Sequence, residues 1–517
     1  MKSDIMKRLN SFLPVIIFGL IMAGITIASG CRGIYLFDGS IPLLFGHLLQ
    51  NGRHCFNEII MPPLGPLSGY LSAAGYILFG KCYLSQVIMA GIICGIASSI
   101  VLLFLKRRLQ TIPAILCSFL IILSTVPIPG ILFYNDFALL LFAVLFIFGF
   151  ERCCDPDHPA WLEYAMWTMV GLQFLNKPNF GVVAGIGSLA LEIVLFYSVK
   201  KISLKKKTVD FLILLASGLI FLYTARFNFS AIISSVFNTI PPPSKFYFLF
   251  NNGWIFLKIY NSFLLSGFLL FLLLLYSFYF RSYRTGYLLS LWCGIFWILL
   301  FSNSFLSCYV WPAQFFIIGA IAAAGMVQKF DEKKEKFKLL IIGLVLFYSI
   351  VLISIIRAGG FNLKKWNELK GDFSADLKNI AKVEEGFFRG VKVQKHQLLM
   401  ANIINAVSQK MPDKKIFFGP ELGMFYPATD RLPPVPWFLW EDKRLLRTGI
   451  KNVIDQLKSE NYDIMILPLK PQEPPEYSNY LSDIHPLTFT LSKAGLVFRF
   501  KHAEDMFATE KIINSVL

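Results

Sequence analysis

The chain is 517 residues long, 56% hydrophobic and only 16% charged, with a mean hydropathy of +0.60. A water-soluble chain carries about 25% charged residues, so a disordered chain, a fibrous protein and a soluble enzyme in one piece are excluded. The net charge of +17 calls for no nucleic-acid partner. Most of the surplus lies beside apolar runs, at Lys106-Arg107-Arg108, Lys200-Lys201, Lys205-Lys206-Lys207 and 329–338, the positive-inside pattern of membrane helices.

Spanning a bilayer takes roughly 20 apolar residues. Runs of that kind occur at 10–30, 84–105, 111–130, 137–150, 160–176, 179–199, 208–225, 254–280, 285–302, 309–327 and 337–356. They predict a polytopic α-helical membrane protein of about 11 transmembrane helices, with its two ends on opposite sides. With the N-terminus cytoplasmic, the inner segments hold 19 Lys and Arg and the outer loops six, Arg32, Arg53, Lys81, Lys177, Arg226 and Lys245. Residues 1–357 then form a membrane domain with a first outer loop at 31–83, and 358–517 an extracytoplasmic domain. The expected location is the inner or plasma membrane. The apolar segment Pro66–Gly80 is short for a span; counting it as one would put Lys106-Arg107-Arg108 outside, so it reads as a helix along the outer interface.

The tail differs in composition. Short apolar runs at Lys415–Phe418, Asp463–Leu467 and Leu496–Phe500 alternate with amphipathic stretches near 395–410 and 444–460, which predicts a small α/β domain. It contains none of the nine Cys. A disulfide between Cys31 and Cys55 is open if the outer side is oxidising.

Acids on the outer side before the tail are few: Asp38, Glu58 and Asp136. Asp38 and Asp136 each precede a helical stretch, so each has an ordinary reading as a helix cap. Two acids on one face among scattered cations also fit a catalytic site, and the roles can coexist. His47 and His54 share the first outer loop, with no third metal ligand evident.

Several segments resemble the GT-C glycosyltransferases, the polyprenyl-phosphate-sugar-dependent enzymes that include protein mannosyltransferase-like and lipid A aminoarabinose transferase-like proteins. The stretch Tyr35–Gly80, with Asp38, an amphipathic helix ending at a Gly turn and Met61-Pro62-Pro63-Leu64, looks like the family's first outer loop. Tyr134-Asn135-Asp136-Phe137 is similar to its second acidic motif, and Asn176-Lys177-Pro178-Asn179-Phe180-Gly181 to its Lys-containing turn. Ser302–Pro312, with Tyr309, resembles a late-span motif, and Phe418-Gly419-Pro420-Glu421, with Tyr426 and Arg431, the outer domain. One position departs. Members often have Lys before the Pro pair, where this chain has Met61, so another cation must meet the donor phosphate or the donor differs.

The resemblance implies an inverting glycosyltransferase that moves a sugar from a polyprenyl-phosphate donor to a lipid, glycan or protein acceptor at the outer face. Asp38 would be the base for the acceptor hydroxyl, with Asp136 orienting the acceptor, assisting Asp38 or helping to hold a cation. Lys177, Arg226, Lys245 and Arg53 are the candidates for the donor phosphate, Lys177 first among them; its ordinary reading is a Lys snorkelling to the interface. Glu58 and Tyr309 are candidates for acceptor or sugar contact, and Glu58 is equally a plain surface acid. Carboxylate oxygens suit Mg²⁺ or Mn²⁺, but no cofactor is required by the pattern. The rival readings are a transporter or flippase of a lipid-linked sugar, which would carry ionisable groups midway through its spans, and a non-catalytic membrane scaffold. The acids nearest membrane depth, Glu163 and Glu192, lie toward the expected cytoplasmic side.

Overall fold

The computed structural model describes residues 2–31, 33–34, 40–55, 59–60, 65–123, 134–155, 158–199, 204–230, 267–275, 284–307, 310–327, 380–419, 422–434, 437–438, 450–469 and 483–517. The helices are α1 (Lys2–Gly30), α2 (Ser40–Gln50), α3 (Leu67–Phe79), α4 (Tyr83–Lys106), α5 (Thr111–Leu123), α6 (Tyr134–Cys154), α7 (Ala160–Asn176), α8 (Pro178–Val199) and α9 (Leu204–Thr224), then α10 (Arg284–Ser307) and α11 (Val310–Val327). Each expected run from 10–30 to 208–225, and those at 285–302 and 309–327, overlaps one of these, the run at 111–130 being described only as far as Leu123. The run at 254–280 is described only over helical residues 267–275, and that at 337–356 lies outside the described residues. Among the described residues, five helices (α1, α4, α6, α8 and α9) are long and apolar enough to cross a membrane. The chain is a multi-pass membrane protein.

Two packing features set the bundle. Helix α6 is apolar on nearly every face and is buried along almost its whole length, against α4, α7, α8 and α10. Its Gly149 admits the Trp292 ring of α10, where an added Cβ would lie 2.4 Å from the ring, and Trp292 donates its indole N–H to the Phe146 carbonyl at 3.0 Å. Helices α1 and α4 meet through small residues spaced by four, Gly19 and Ala23 against Gly91 and Gly95. A Cβ on Gly95 would sit 2.9 Å from the Gly19 carbonyl oxygen. Close backbone approach of this kind is how membrane helices gain contact when lipid is as apolar as their side chains.

Helices α2 and α3 pack on each other and then on the bundle. Tyr76 of α3 donates to the Leu43 carbonyl of α2 at 3.1 Å, and Gln86 of α4 donates to the Ser72 carbonyl of α3 at 2.9 Å. The 13-residue α3 is thus a short helix braced between α2 and α4. Cys31 and Cys55 are free thiols, so the disulfide left open between them is not formed.

The C-terminal region is α/β as expected. The hairpin β2 (Ile380–Lys382) and β3 (Lys392–Gln394) leads into α12 (Lys395–Lys410). A four-stranded sheet follows, built from β4 (Ile416–Phe418), β6 (Ile464–Pro468), β7 (Leu487–Leu491) and β8 (Leu496–Phe500) in the order β4-β6-β8-β7. Strands β4 and β6 are parallel, and the others pair antiparallel, Ile464 opposite Phe500 and Leu487 opposite Phe500. Between β4 and β6 lie the short α13 (Phe425–Thr429) and α14 (Ile450–Glu460), and α15 (Ala503–Val516) ends the chain against α12. Phe417, Phe418, Met465, Ile466, Phe498 and Phe500 are buried in its core.

This domain is fastened to the segment between α1 and α4 at several points. Lys392 N–H donates to the Cys31 carbonyl at 2.8 Å, Gln397 Nε2 to the Ile34 carbonyl at 3.3 Å, and Tyr83 N–H to the Phe387 carbonyl at 2.9 Å. His47 Nε2 donates to the Arg431 carbonyl at 2.9 Å, and Lys81 forms an ion pair with Asp430. A two-residue strand, β1 (Ile59–Ile60), pairs parallel with β5 (Trp437–Phe438).

Candidate active site

The predicted site residues divide into those that lie among the described residues, of which the structure brings Asp136 and Lys177 together, and those outside the described residues. Asp38, Glu58, Lys245 and Tyr309 are in the second group, as are Arg32 and the Met61–Leu64 segment. The described part of the site is built where α6 begins and α7 ends.

Asp136 lies in the first turn of α6, 5% exposed, inside the helix rather than at its cap. A carboxylate there meets the positive end of the helix dipole. Helix α7 stops at Asn176, and Lys177, in extended conformation before Pro178 opens α8, is also 5% exposed. Proline at the first position of α8 forbids α7 from running on, since the residue before it is pushed out of the helical region. That break is what turns Lys177 inward. Its Nζ donates to Asn135 Oδ1 at 2.6 Å and lies 5.1 Å from the centre of the Tyr134 ring and 4.3 Å from that of Phe180. An ammonium costs several kcal/mol to remove from water, and here a 2.6 Å hydrogen bond and two aromatic faces offset part of it. Lys177 is therefore not a snorkelling side chain.

Amide side chains hold the two helix ends together. Asn176 Nδ2 donates to the Tyr134 carbonyl at 2.9 Å and Gln173 Nε2 to the Ala138 carbonyl at 2.5 Å. Both residues are fully buried, and among the described residues Asn176 Oδ1 and Gln173 Oε1 have no hydrogen-bond partner. The first loop closes on this end through Gly65, whose N–H donates to the Asn176 carbonyl at 2.9 Å. A Cβ on Gly65 would stand 1.9 Å from the Leu175 carbonyl oxygen, so only glycine fits. Gln173 and Gly65 are not singled out from the sequence, and Asn135 is quoted there only as part of a motif; amides placed at the ends of apolar spans are the available signal.

Arg226 and Arg53 are the other candidate cations among the described residues. Arg226, at the end of α9 with a φ of 49°, hydrogen-bonds His54 through Nη2 and Nε2. Arg53, half-buried, is anchored by its backbone N–H to the Leu48 carbonyl at 3.0 Å. Lys81 is committed to Asp430, whose carboxyl the ammonium holds below the usual carboxylate range. Among the described residues no three or more His, Cys, Asp or Glu are grouped so as to hold a metal ion.

A second set of buried charges sits at the other end of α6, about 24 Å along the axis from Asp136 at 1.5 Å per residue. Arg152, 2% exposed, pairs with Glu192 of α8 and lies 3.9 Å from Glu163 of α7. Lys207 of α9 pairs with Glu163, with Glu192 at 2.7 Å and with Asp210 at 3.2 Å. Arg108 forks the Glu151 carboxylate at 3.0 and 2.7 Å. The acids nearest membrane depth thus tie four helices to one another.

Comparison with known proteins bears on the fold of the chain. The sequence model of the dolichyl-phosphate-mannose-protein mannosyltransferase family matches residues 62–225, a stretch that contains Asp136 and Lys177. No curated protein matches the chain in sequence. In fold the chain is similar to ArnT from Cupriavidus metallidurans bound to undecaprenyl phosphate, with a TM-score of 0.55 at 10% identity over 95% of this chain and 98% of that one. The apo form of ArnT gives 0.55 at 11% identity over the same shares. The apo oligosaccharyltransferase of Archaeoglobus fulgidus gives 0.44 at 12% identity, over 91% of this chain and 71% of that one. The likeness to ArnT in fold thus covers nearly the whole of this chain.

Proposed function

We propose that the chain is an inverting glycosyltransferase of GT-C type, which moves a sugar from a polyprenyl-phosphate donor to a lipid, glycan or protein acceptor at the outer face of the membrane. The observation that carries the reading is a buried lysine beside the first turn of α6, with Asp136 in that turn and Gly65 of the first loop closing over the same helix end. The match to a mannosyltransferase family over 62–225, and the fold of a protein bound to undecaprenyl phosphate, support it. The positive-inside asymmetry supports placing this end of the bundle, and residues 358–517, on the outer side.

In this reading Asp38 takes the proton of the acceptor hydroxyl as its oxygen bonds to the anomeric carbon. The bond from that carbon to the donor phosphate oxygen breaks, and the electron pair leaves with the phosphate. Inversion follows from attack on the face opposite the departing group. Lys177 would supply positive charge to the phosphate as its charge grows, a role its burial, 5% exposed, supports because little water would screen it. Arg226, Arg53 and Lys245 are further candidates for binding the donor phosphate. Asp136 orients the acceptor or assists Asp38, and Glu58 and Tyr309 touch acceptor or sugar. Where a divalent cation takes part, carboxylates such as these would hold it and it would bear on the phosphate.

Carriage of a lipid-linked sugar gains nothing from the membrane-depth acids, because Glu163 and Glu192 are matched by Arg152 and Lys207. The test is mass spectrometry of envelope lipids and glycans with and without the gene, complemented by wild type or by Asp38→Asn. Loss of one glycan mass, restored by wild type and not by the variant, is expected. Intact products with lipid-linked sugar accumulating inside would instead establish transport.

A further inference from the structure

Helix α9 ends in a turn that most often falls to glycine. Its last carbonyls are closed in a paired pattern, Arg226 N–H donating to the Tyr223 carbonyl at 2.9 Å and Phe227 N–H to the Leu222 carbonyl at 2.8 Å. That pattern puts the first residue past the helix end in the left-handed region, where glycine fits freely and a side chain costs free energy. Here the residue is arginine, with a φ of 49°, and Phe227 after it has a φ of 55°. Strain of this kind persists only where the surroundings hold it, and it concentrates at functional sites. Core packing gives no reason for the choice, because both side chains are exposed.

What the Arg226 side chain reaches is His54, in the first loop between α2 and β1. A guanidinium can only donate, so His54 Nε2 is the acceptor and its Nδ1 carries the hydrogen. The place of this contact is informative. Helices α7 and α9 lie side by side, with the Phe174 and Phe221 rings 5.1 Å apart and a Cβ on Gly171 meeting the Ser217 side chain. The same offset brings Thr224, at the end of α9, level with Lys177 at the end of α7. Arg226 therefore stands at the same end of the bundle as Lys177 and Asp136.

We infer that arginine is kept in glycine's place at 226 because its guanidinium serves the donor phosphate, and that His54 is the positioning residue that aims it. This rests on the proposed function, in which Arg226 is one of the phosphate candidates. The physical reason is preorganisation. A free arginine side chain has much rotamer freedom to lose when it binds an anion. A fixed left-handed backbone and an acceptor for one terminal nitrogen remove part of that cost beforehand. The remaining N–H groups of the fork are left for phosphate oxygens. His54 touches neither donor nor acceptor and acts through Arg226.

The test uses the full-length protein in detergent or nanodiscs, with Arg226→Gly, His54→Phe and His54→Gln. Unfolding temperature, affinity for a short-chain polyprenyl phosphate and transfer kinetics are measured on each. Arg226→Gly relieves the strain and is expected to unfold about 2 °C higher. It should nevertheless bind polyprenyl phosphate about tenfold more weakly, the scale of a lost charge-assisted hydrogen bond, with donor KM raised to match. A more stable protein cannot owe that loss to misfolding. His54→Phe, a ring without an acceptor, should raise donor KM several-fold at an unchanged unfolding temperature, since an exposed contact adds little stability. His54→Gln, whose amide oxygen can accept, should recover most of the loss. An Arg226→Gly protein no more stable than wild type, or one that binds as wild type does, overturns the inference. So does wild-type KM in His54→Phe, or His54→Gln as impaired as His54→Phe. A wild-type chain that transfers no sugar overturns the proposed function instead, so the two failures are read from different proteins.

Discussion

Lys177 and Asn135 meet at 2.6 Å across the junction of α6 and α7, joining the helix turn that carries Asp136 to the break between two spans. If this cation serves the donor phosphate, Lys177→Met should keep the volume and lose the charge. Removing one such preorganised donor typically costs about 100- to 1000-fold in turnover. The check is kcat with a short-chain polyprenyl-phosphate sugar. Lys177→Arg should retain part of the activity, limited by the Phe180 ring 4.3 Å from Nζ. A Met variant within a few-fold of wild type would remove Lys177 from the site.

Gly65 sets a steric prediction. An added Cβ would lie 1.9 Å from the Leu175 carbonyl oxygen, so Gly65→Ala must push the loop off the end of α7 and break its hydrogen bond to the Asn176 carbonyl. The strain falls on backbone, which cannot swing away as a side chain would. We expect a fall in transfer of about 100-fold, the scale of a 1 Å misplacement, with most of the protein still folded. Activity per folded molecule, normalised by gel filtration, measures it. Unimpaired transfer would mean that the loop does not need this seat.

How much of this was legible in the sequence depends on the distance between partners. Apolar runs marked the spans because burial in lipid is a local property of a segment. The expected span at 137–150 nevertheless stopped short of the helix Tyr134–Cys154 at both ends. Asn135, Glu151 and Arg152 look like water-facing positions until Lys177, Arg108 and Glu192 are seen to satisfy them. Strands β4, β6 and β8 showed as apolar runs in the tail. Strand β7 did not, although Leu487, Phe489 and Leu491 alternate with two threonines. The pairing of β1 with β5 could not be read at all: two residues have no periodicity, and their partners lie at the other end of the chain.

The charge network at the far end of α6 makes a stability prediction. Arg152 is 2% exposed and faces Glu192 and Glu163. Removing one member of a buried ion pair strands the other charge and costs about 3–5 kcal/mol. Arg152→Met should therefore lower the unfolding temperature in detergent sharply, and Arg152→Met with Glu192→Gln should recover part of the loss. Because this cluster is far from Asp136, the folded fraction of either variant should transfer sugar at the wild-type rate. A stable Arg152→Met protein, or a folded one without activity, would show that the network does something other than tie helices.

His47 gives the joint between loop and C-terminal domain a pH dependence with a definite sign. Its Nε2 donates to the Arg431 carbonyl at 2.9 Å, which leaves Nδ1 to accept from Asn51 Nδ2 at 3.2 Å. Burial lowers its pKa from the ordinary value, as does the nearby Lys81 ammonium, while the Arg431 carbonyl and Asp430 oppose them. A folded pKa below the unfolded one, about 6.5 for His, means the unfolded chain binds the proton more readily. The contribution is therefore complete above that value and is lost as pH falls below it toward the folded pKa. Protonation of Nδ1 would also cost the Asn51 hydrogen bond. Asp430, held low by Lys81, works in the same direction but only in stronger acid. Stability measured from pH 7.5 down to pH 5.5, roughly one unit to each side of the ordinary His value, should fall in wild type. Much of that slope should vanish in His47→Gln, whose amide can donate to the same carbonyl without titrating. An unchanged slope in the variant would assign the acid sensitivity to another group.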